Sequence, residues 1–91
     1  MLVSEVEFLL RSARALLPVQ PEPAYHFLSR ALSVTVDARL RFLMAPALSA
    51  LARKDAAAAR KWLDRACEYE ETRRFAAERK PRADAAWERW D

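Results

Sequence analysis

Apolar residues recur along the amino-terminal part of the chain at the three- and four-residue spacing of an amphipathic helix. Over residues 2–17 they alternate with polar side chains, which are acidic near the start and basic toward the end, the order that a helix dipole favours. Pro18 stops this pattern, and either Pro21 or Pro23 is suited to the first turn of a second helix over about 22–34. The pattern therefore predicts a helical hairpin at the amino terminus.

The middle of the chain predicts two further helices. Residues 38–53 are apolar on nearly all sides, which indicates a helix placed between neighbours, and Asp37 is a good N-cap for it. Pro46 is expected to kink this helix. Asp55 is a second N-cap, and neither proline nor glycine interrupts the chain from there to Lys80. One long fourth helix is therefore possible.

An internal repeat favours a break in that last helix. Residues 24–31 (AYHFLSRA) recur 35 positions later as residues 59–66 (ARKWLDRA), with Phe27 replaced by another large aromatic residue, Trp62. A fixed period of this size is typical of stacked supersecondary units. Continued along the chain, it predicts that the fourth helix ends near Thr72 and that a closing helix follows.

This repeat resembles the tetratricopeptide repeat, a helix-turn-helix unit of about 34 residues. The matching positions are Phe8, Ser12, Ala24, Leu28 and Ala31 in the first unit and Leu43, Ala47, Ala59, Leu63 and Ala66 in the second. The resemblance covers residues 6–71, but the turn glycine of the family is absent and Lys54 is nearest its place. Small residues at these positions would let the helices approach closely.

The expected fold is all-α and forms a single domain over residues 1–91. The resemblance implies antiparallel helical hairpins stacked in a tetratricopeptide-like array of about five helices. Residues 1–36 would form the first hairpin, 37–71 the second, and 72–91 a capping helix or arm. A plain four- or five-helix bundle is the alternative.

Composition adds few functional clues. The 16 basic residues are spread along the chain and interleaved with acidic ones, which is typical of a solvated helix surface. One cysteine, Cys67, and one histidine, His26, cannot form an intramolecular disulfide or a Cys/His metal set. The longest apolar run, residues 42–52, is too short to cross a bilayer. We expect a cytoplasmic protein that is not an enzyme, has no cofactor and does not span a membrane.

The resemblance implies that the first helix of each hairpin lines an apolar groove for a partner helix or peptide. The expected function is a small protein–protein interaction adaptor or chaperone-like module, or a homodimer that covers the groove with a second copy. The candidate partner-binding residues are Leu9, Leu10, Ala13, Leu16, Arg41, Met44, Leu48, Leu51, Trp87 and Trp90.

Three alternatives remain open at this point. The groove residues can instead form the core, and Trp87 and Trp90 can pack on the chain's own fourth helix. A nucleic-acid-binding protein would use an arginine-rich helical face, and a regulator or inhibitor is a weaker possibility. The residues of the arginine-rich face would be Arg39, Arg60, Lys61, Arg73 and Arg74.

Overall fold

The chain folds into four helices and, over the described residues, no strand. The structure is a computed structural model that describes the backbone of residues 4–17 and 19–90 and the side chains of residues 4–17 and 19–76. The helices are α1 (Glu5–Leu16), α2 (Pro21–Val34), α3 (Ala38–Ala52) and α4 (Ala56–Trp90). The all-α prediction is confirmed. Among the described residues, no helix combines the length and the apolar character needed to cross a membrane.

Side-chain caps fix where three of the helices begin. The hydroxyl of Ser4 accepts a hydrogen bond from the backbone N–H of Glu7 at 3.1 Å, at the start of α1. The carboxylate of Asp37 accepts from the N–H groups of Arg39 and Leu40 at the start of α3. Asp55 accepts from the N–H of Ala58 at 3.1 Å. Each cap satisfies backbone donors that the first helical turn leaves unpaired.

The end of α3 is a turn in which Lys54 adopts a left-handed backbone conformation, with φ of 62°. Its N–H donates to the carbonyl of Leu51 at 3.0 Å, and the N–H of Asp55 donates to the carbonyl of Ala50 at 2.8 Å. This pair of bonds defines a Schellman motif, whose left-handed position is usually glycine because a Cβ atom is disfavoured there. The missing turn glycine of the sequence is thus replaced by a strained lysine.

The four helices pack as a closed ring around one core. The principal contacts join α1 to α2, α2 to α3, α3 to α4 and α4 back to α1. Leucine and methionine fill the centre, and alanines let the helix backbones approach one another. The core residues with no exposed surface are Leu10, Ala13, Ala24, Leu28, Ala31, Leu40, Met44, Ala47, Ala50, Ala59, Leu63 and Ala66. The ring fits the four-helix alternative, and tetratricopeptide-like stacking stays a prediction.

The predicted break near Thr72 is wrong, and the helix count is four rather than five. The hydroxyl of Thr72 donates to the carbonyl of Glu68 at 2.9 Å, a local bond that a helix interior accommodates. Since no proline or glycine lies between residues 56 and 76, nothing in this stretch forces the helix to end. As a result α4 is 35 residues long, against 12 to 15 for the other helices.

Candidate functional site

Most of the predicted groove residues lie in the core. Leu16 and Leu48 are partly buried, whereas Arg41 is exposed and donates to the carbonyl of Thr35 at 3.3 Å. The side chains of Trp87 and Trp90 lie outside the described residues. The remaining five, with exposed fractions of 0 to 8%, are Leu9, Leu10, Ala13, Met44 and Leu51. These five do not form an open groove along α1 and α3, because the ring of helices covers their apolar faces.

A cleft opens instead at the end of the bundle where α1 and α3 finish. The connection between α1 and α2 meets the connection between α3 and α4 there, and the space between them has a volume of about 810 Å³. Ligand pockets in proteins commonly have volumes of about 300–1,000 Å³. The residues lining this end cleft are Leu17, Pro21, Glu22, Tyr25, His26, Leu51, Lys54 and Ala56. Of the predicted partner-binding residues whose side chains the structure describes, Leu51 alone lines it.

The end cleft combines apolar and polar lining residues. Leu17 and Leu51 are buried leucines whose side chains reach the cleft, and Tyr25 and Ala56 are exposed residues beside them. The ring of Tyr25 stands edge-on to that of His26, with centroids 6.2 Å apart. Tyr25, His26 and Ala56 are the accessible part of this lining, whereas Leu17 and Leu51, at 1% and 8% exposed, contribute little accessible surface. Accessible aromatic side chains are typical of a binding surface.

A smaller depression extends the end cleft along the first turns of α4. It has a volume of about 230 Å³ and shares Leu17 and Ala56 with the cleft, adding Ala57 and Arg60. The guanidinium of Arg60 is held by Asp64, one helical turn further on, at 3.2 Å. The apolar surface at this end therefore continues across the start of α4.

Two opposite charges on the end cleft are left unpaired. Glu22 lies in the first turn of α2 and Lys54 in the turn between α3 and α4. They form no ion pair with each other, and neither side chain has a hydrogen-bond or ion-pair partner among the described residues. Both charges are accessible to a ligand in the cleft.

The other end of the bundle, where α1 and α3 begin, carries a charged seam between α1 and α4. We define this seam as Glu7, Arg11, Glu71 and Arg74. The Glu7 carboxylate has no exposed surface and lies 2.8 Å from the Arg11 guanidinium and 2.9 Å from that of Arg74. Both contacts are ion pairs rather than aligned hydrogen bonds. Arg11 also donates a hydrogen bond of 3.0 Å to Glu71, so the seam links the two helices.

A second polar cluster joins the start of α3 to α4. The Tyr69 hydroxyl donates to Asp37 at 2.9 Å, and Arg73 donates to the buried Glu70 at 2.8 Å. Hydrogen bonds from the backbone N–H of Leu40 and from Tyr69 hold the pKa of Asp37 below its usual value. The hydrogen bond from its hydroxyl to Asp37 raises the pKa of Tyr69. At this end the charges are used inside the chain.

The described residues contain no metal-binding cluster, and their single cysteine is buried. No group of three His, Cys, Asp or Glu side chains among them is arranged to hold a metal ion. Cys67 is 1% exposed, and burial raises the pKa of its thiol. A thiol with a raised pKa is a poor nucleophile. Cys67 is therefore a core residue.

The proposed arginine-rich face is largely engaged in ion pairs. Besides the Arg60–Asp64 pair, Arg73 contacts Glu70 and Arg74 contacts Glu7. An arginine paired with a carboxylate has to exchange that partner for a phosphate before it can bind nucleic acid. The geometry therefore gives this alternative little support.

Comparison of the chain with models of protein families, with curated proteins and with solved structures finds no match.

Proposed function

We propose that the protein is a small interaction module that binds an amphipathic helix or peptide of a partner protein in the end cleft. The observation that carries this proposal is the cleft of about 810 Å³ between two helix connections, where the lining residues Tyr25, His26 and Ala56 are exposed. This proposal keeps the expected kind of partner but moves its binding site from the apolar faces of α1 and α3 to one end of the bundle.

The chemistry of the end cleft suits a helix with one apolar face. Full burial of a leucine-sized side chain contributes roughly 1.5–3 kcal/mol, so two or three such side chains would give measurable affinity. Tyr25 presents an aromatic ring with a polar hydroxyl, a combination that is common at binding surfaces. Because the lining comes from the ends of packed helices, most of the site exists before a partner arrives.

The proposal is tested by filling the cleft without disturbing the core. Ala56 is exposed and lines the cleft, so Ala56→Trp places a large side chain in the space that a ligand would occupy. Ala45 is an exposed residue in the middle of α3 that does not line the cleft, and Ala45→Trp is the matched control. The probe is a fluorescently labelled synthetic amphipathic helix about 16 residues long, with leucine on one face and glutamine on the other.

We expect Ala56→Trp to weaken peptide binding at least about tenfold, which corresponds to about 1.4 kcal/mol, while Ala45→Trp leaves it unchanged. Circular dichroism of both variants checks that the helices are intact. Equal affinities for the two variants, or no binding by the unsubstituted protein, would remove the end cleft as the site.

Self-association is the second candidate, and the exposure of Phe42 favours it. This side chain is 78% exposed on the outer face of α3, between the exposed alanines Ala38 and Ala45. A second copy packed on that face would remove an apolar surface from water. A solution mass of two chains that falls to one chain in Phe42→Ala would establish the homodimer, and a monomeric mass for the unsubstituted protein would exclude it.

Three further elements of the proposal follow from the same observations. We propose a protein without catalytic activity, because the end cleft brings together no nucleophile with an activating base. The single buried thiol is compatible with a reducing compartment, and we propose a cytoplasmic location. Nucleic-acid binding remains the weaker alternative, and an affinity for single-stranded or duplex DNA that falls steeply with salt would be needed to establish it.

A further inference from the structure

The end cleft holds two charges of opposite sign that come from different elements. Glu22 belongs to α2, and Lys54 belongs to the turn between α3 and α4. At the other end of the bundle, the contact of Glu7 with Arg74 pairs charges across α1 and α4. Glu22 and Lys54 do not form an ion pair with each other. Each is therefore available to an oppositely charged group of a ligand in the cleft.

An ordered backbone positions the side chain of each charged residue. Lys54 occupies the left-handed position of the Schellman motif, held by the hydrogen bonds of its own N–H and that of Asp55. A lysine at this position costs stability that glycine would not, and strained residues of this kind are often found at binding sites. Its side chain lines the cleft although the turn alone would prefer glycine.

Glu22 is fixed in a similar way on the α2 side. It lies between Pro21 and Pro23 in the first helical turn, where proline restricts the backbone. A carboxylate is favoured at this end of a helix by the helix dipole, so its charge is stable without an ion-pair partner. Both charges therefore project from ordered backbone rather than from a loose loop.

We propose that the end cleft selects a partner helix by the charges on its two edges. An acidic edge of the helix pairs with Lys54 and a basic edge with Glu22, while the apolar face lies on the exposed side chains of Tyr25 and Ala56. This inference rests on the proposed function and deepens it, because it names the class of partner as an amphipathic helix with one acidic and one basic edge. Such pairs contribute more to specificity than to affinity.

The test uses four synthetic peptides with the same leucine face and different edges. The edges carry Glu and Lys, Glu and Glu, Lys and Lys, or Gln and Gln, and binding is measured by fluorescence anisotropy at low salt. Each surface ion pair is weak, so we expect the Glu/Lys peptide to bind the unsubstituted protein about fivefold more tightly than the Gln/Gln peptide. The difference should fall as salt is added.

Single charge reversals then change which peptide binds best. Lys54→Glu makes both sides of the cleft acidic, so the Lys/Lys peptide becomes the tightest ligand. Glu22→Lys makes both sides basic, so the Glu/Glu peptide takes that place. The matched controls are Lys61→Glu and Glu68→Lys, which reverse exposed charges on α4 that do not line the cleft. Both controls should keep the preference for the Glu/Lys peptide.

Each outcome separates this inference from the function on which it rests. If all four peptides bind equally well to the unsubstituted protein and to both cleft variants, charge selection is overturned while peptide binding in the cleft stands. If the control reversals shift the preference as far as the cleft reversals do, net charge governs binding and the inference is again overturned. If none of the peptides binds, the proposed function fails and the inference fails with it.

Discussion

The two ends of this bundle treat charge in opposite ways. At the end where α1 and α3 begin, the carboxylate of Glu7 has no exposed surface and lies within 2.9 Å of two guanidinium groups. At the end where they finish, Glu22 and Lys54 line an open cleft and have no ion-pair partner among the described residues. Charged side chains thus hold helices together at one end and are left accessible at the other.

Buried ion pairs and exposed charges contribute differently to a small bundle. Leaving one member of a buried ion pair without its partner is costly, so these pairs restrict how α1 and α4 can pack. An exposed charge without an ion-pair partner restricts helix packing far less than a buried pair does. We therefore assign the paired end to the architecture and the unpaired end to binding.

The largest expected effect comes from breaking the charged seam. Arg74→Met removes one of the two cations next to the buried Glu7 carboxylate, and we expect it to lower the free energy of unfolding by about 3 kcal/mol. Arg60→Met is the matched control, since it removes an arginine from an exposed ion pair with Asp64 and should cost less than about 1 kcal/mol. Urea denaturation of the three proteins measures both changes.

The double variant Glu7→Leu with Arg74→Met sharpens this prediction. It replaces the buried pair with apolar side chains, and its stability should return to within about 1 kcal/mol of the unsubstituted protein or exceed it. Equal costs for Arg74→Met and Arg60→Met would contradict the distinction between the seam and the surface.

A smaller effect of opposite sign is expected at the cleft end. Lys54→Gly relieves the left-handed strain, and we expect the free energy of unfolding to rise by about 0.5–1 kcal/mol. The relief of strain exceeds the extra conformational entropy that glycine loses when the chain folds. Lys61→Gly, in the exposed interior of α4, should instead destabilise by about 1 kcal/mol. Thermal denaturation shows whether each variant is more or less stable than the unsubstituted protein. A loss of stability in Lys54→Gly would show that the lysine stabilises the fold.

The smallest effect concerns the acid dependence of the paired end. Since the pKa of Asp37 is lowered in the folded chain, its contribution to stability is present above its unfolded pKa and is lost as pH falls through the folded pKa. Asp37→Asn keeps an N-cap but removes the charge. Urea denaturation should show a stability difference between Asp37→Asn and the unsubstituted protein at pH 7 that shrinks near pH 3. If the stability difference between the two proteins were the same at both pH values, the charge of Asp37 would not contribute, and the difference would come from the N-cap alone.

Local signals in the sequence predicted the helices well. The caps at Asp37 and Asp55 and the proline-rich start of α2 mark helix boundaries through interactions within a few residues. The resemblance to a helical repeat also placed Lys54 near a turn, where the structure has it. These features are predictable because each depends on residues that are neighbours in the chain.

Features that depend on distant helices were not predictable in the same way. Glu7 looks like a solvated residue of an amphipathic helix, but α4 packs beside it and brings Arg74 to a carboxylate that already contacts Arg11. Met44 fits a groove in a stack of hairpins, but it is core in a ring because α3 is covered by α2 and α4. The end cleft is formed by two connections that are more than 30 residues apart in sequence.

The central claim is that this protein binds its partner at the unpaired end of the bundle. The most direct test is to record ¹H–¹⁵N spectra of the ¹⁵N-labelled protein while the synthetic helix with leucine on one face and glutamine on the other is added. The amide signals that shift are then mapped onto the structure. We predict shifts at Glu22, Tyr25, Lys54 and Ala56, and none at Glu7. Shifts centred on Phe42 or on the charged seam, with the cleft signals unchanged, would contradict the claim.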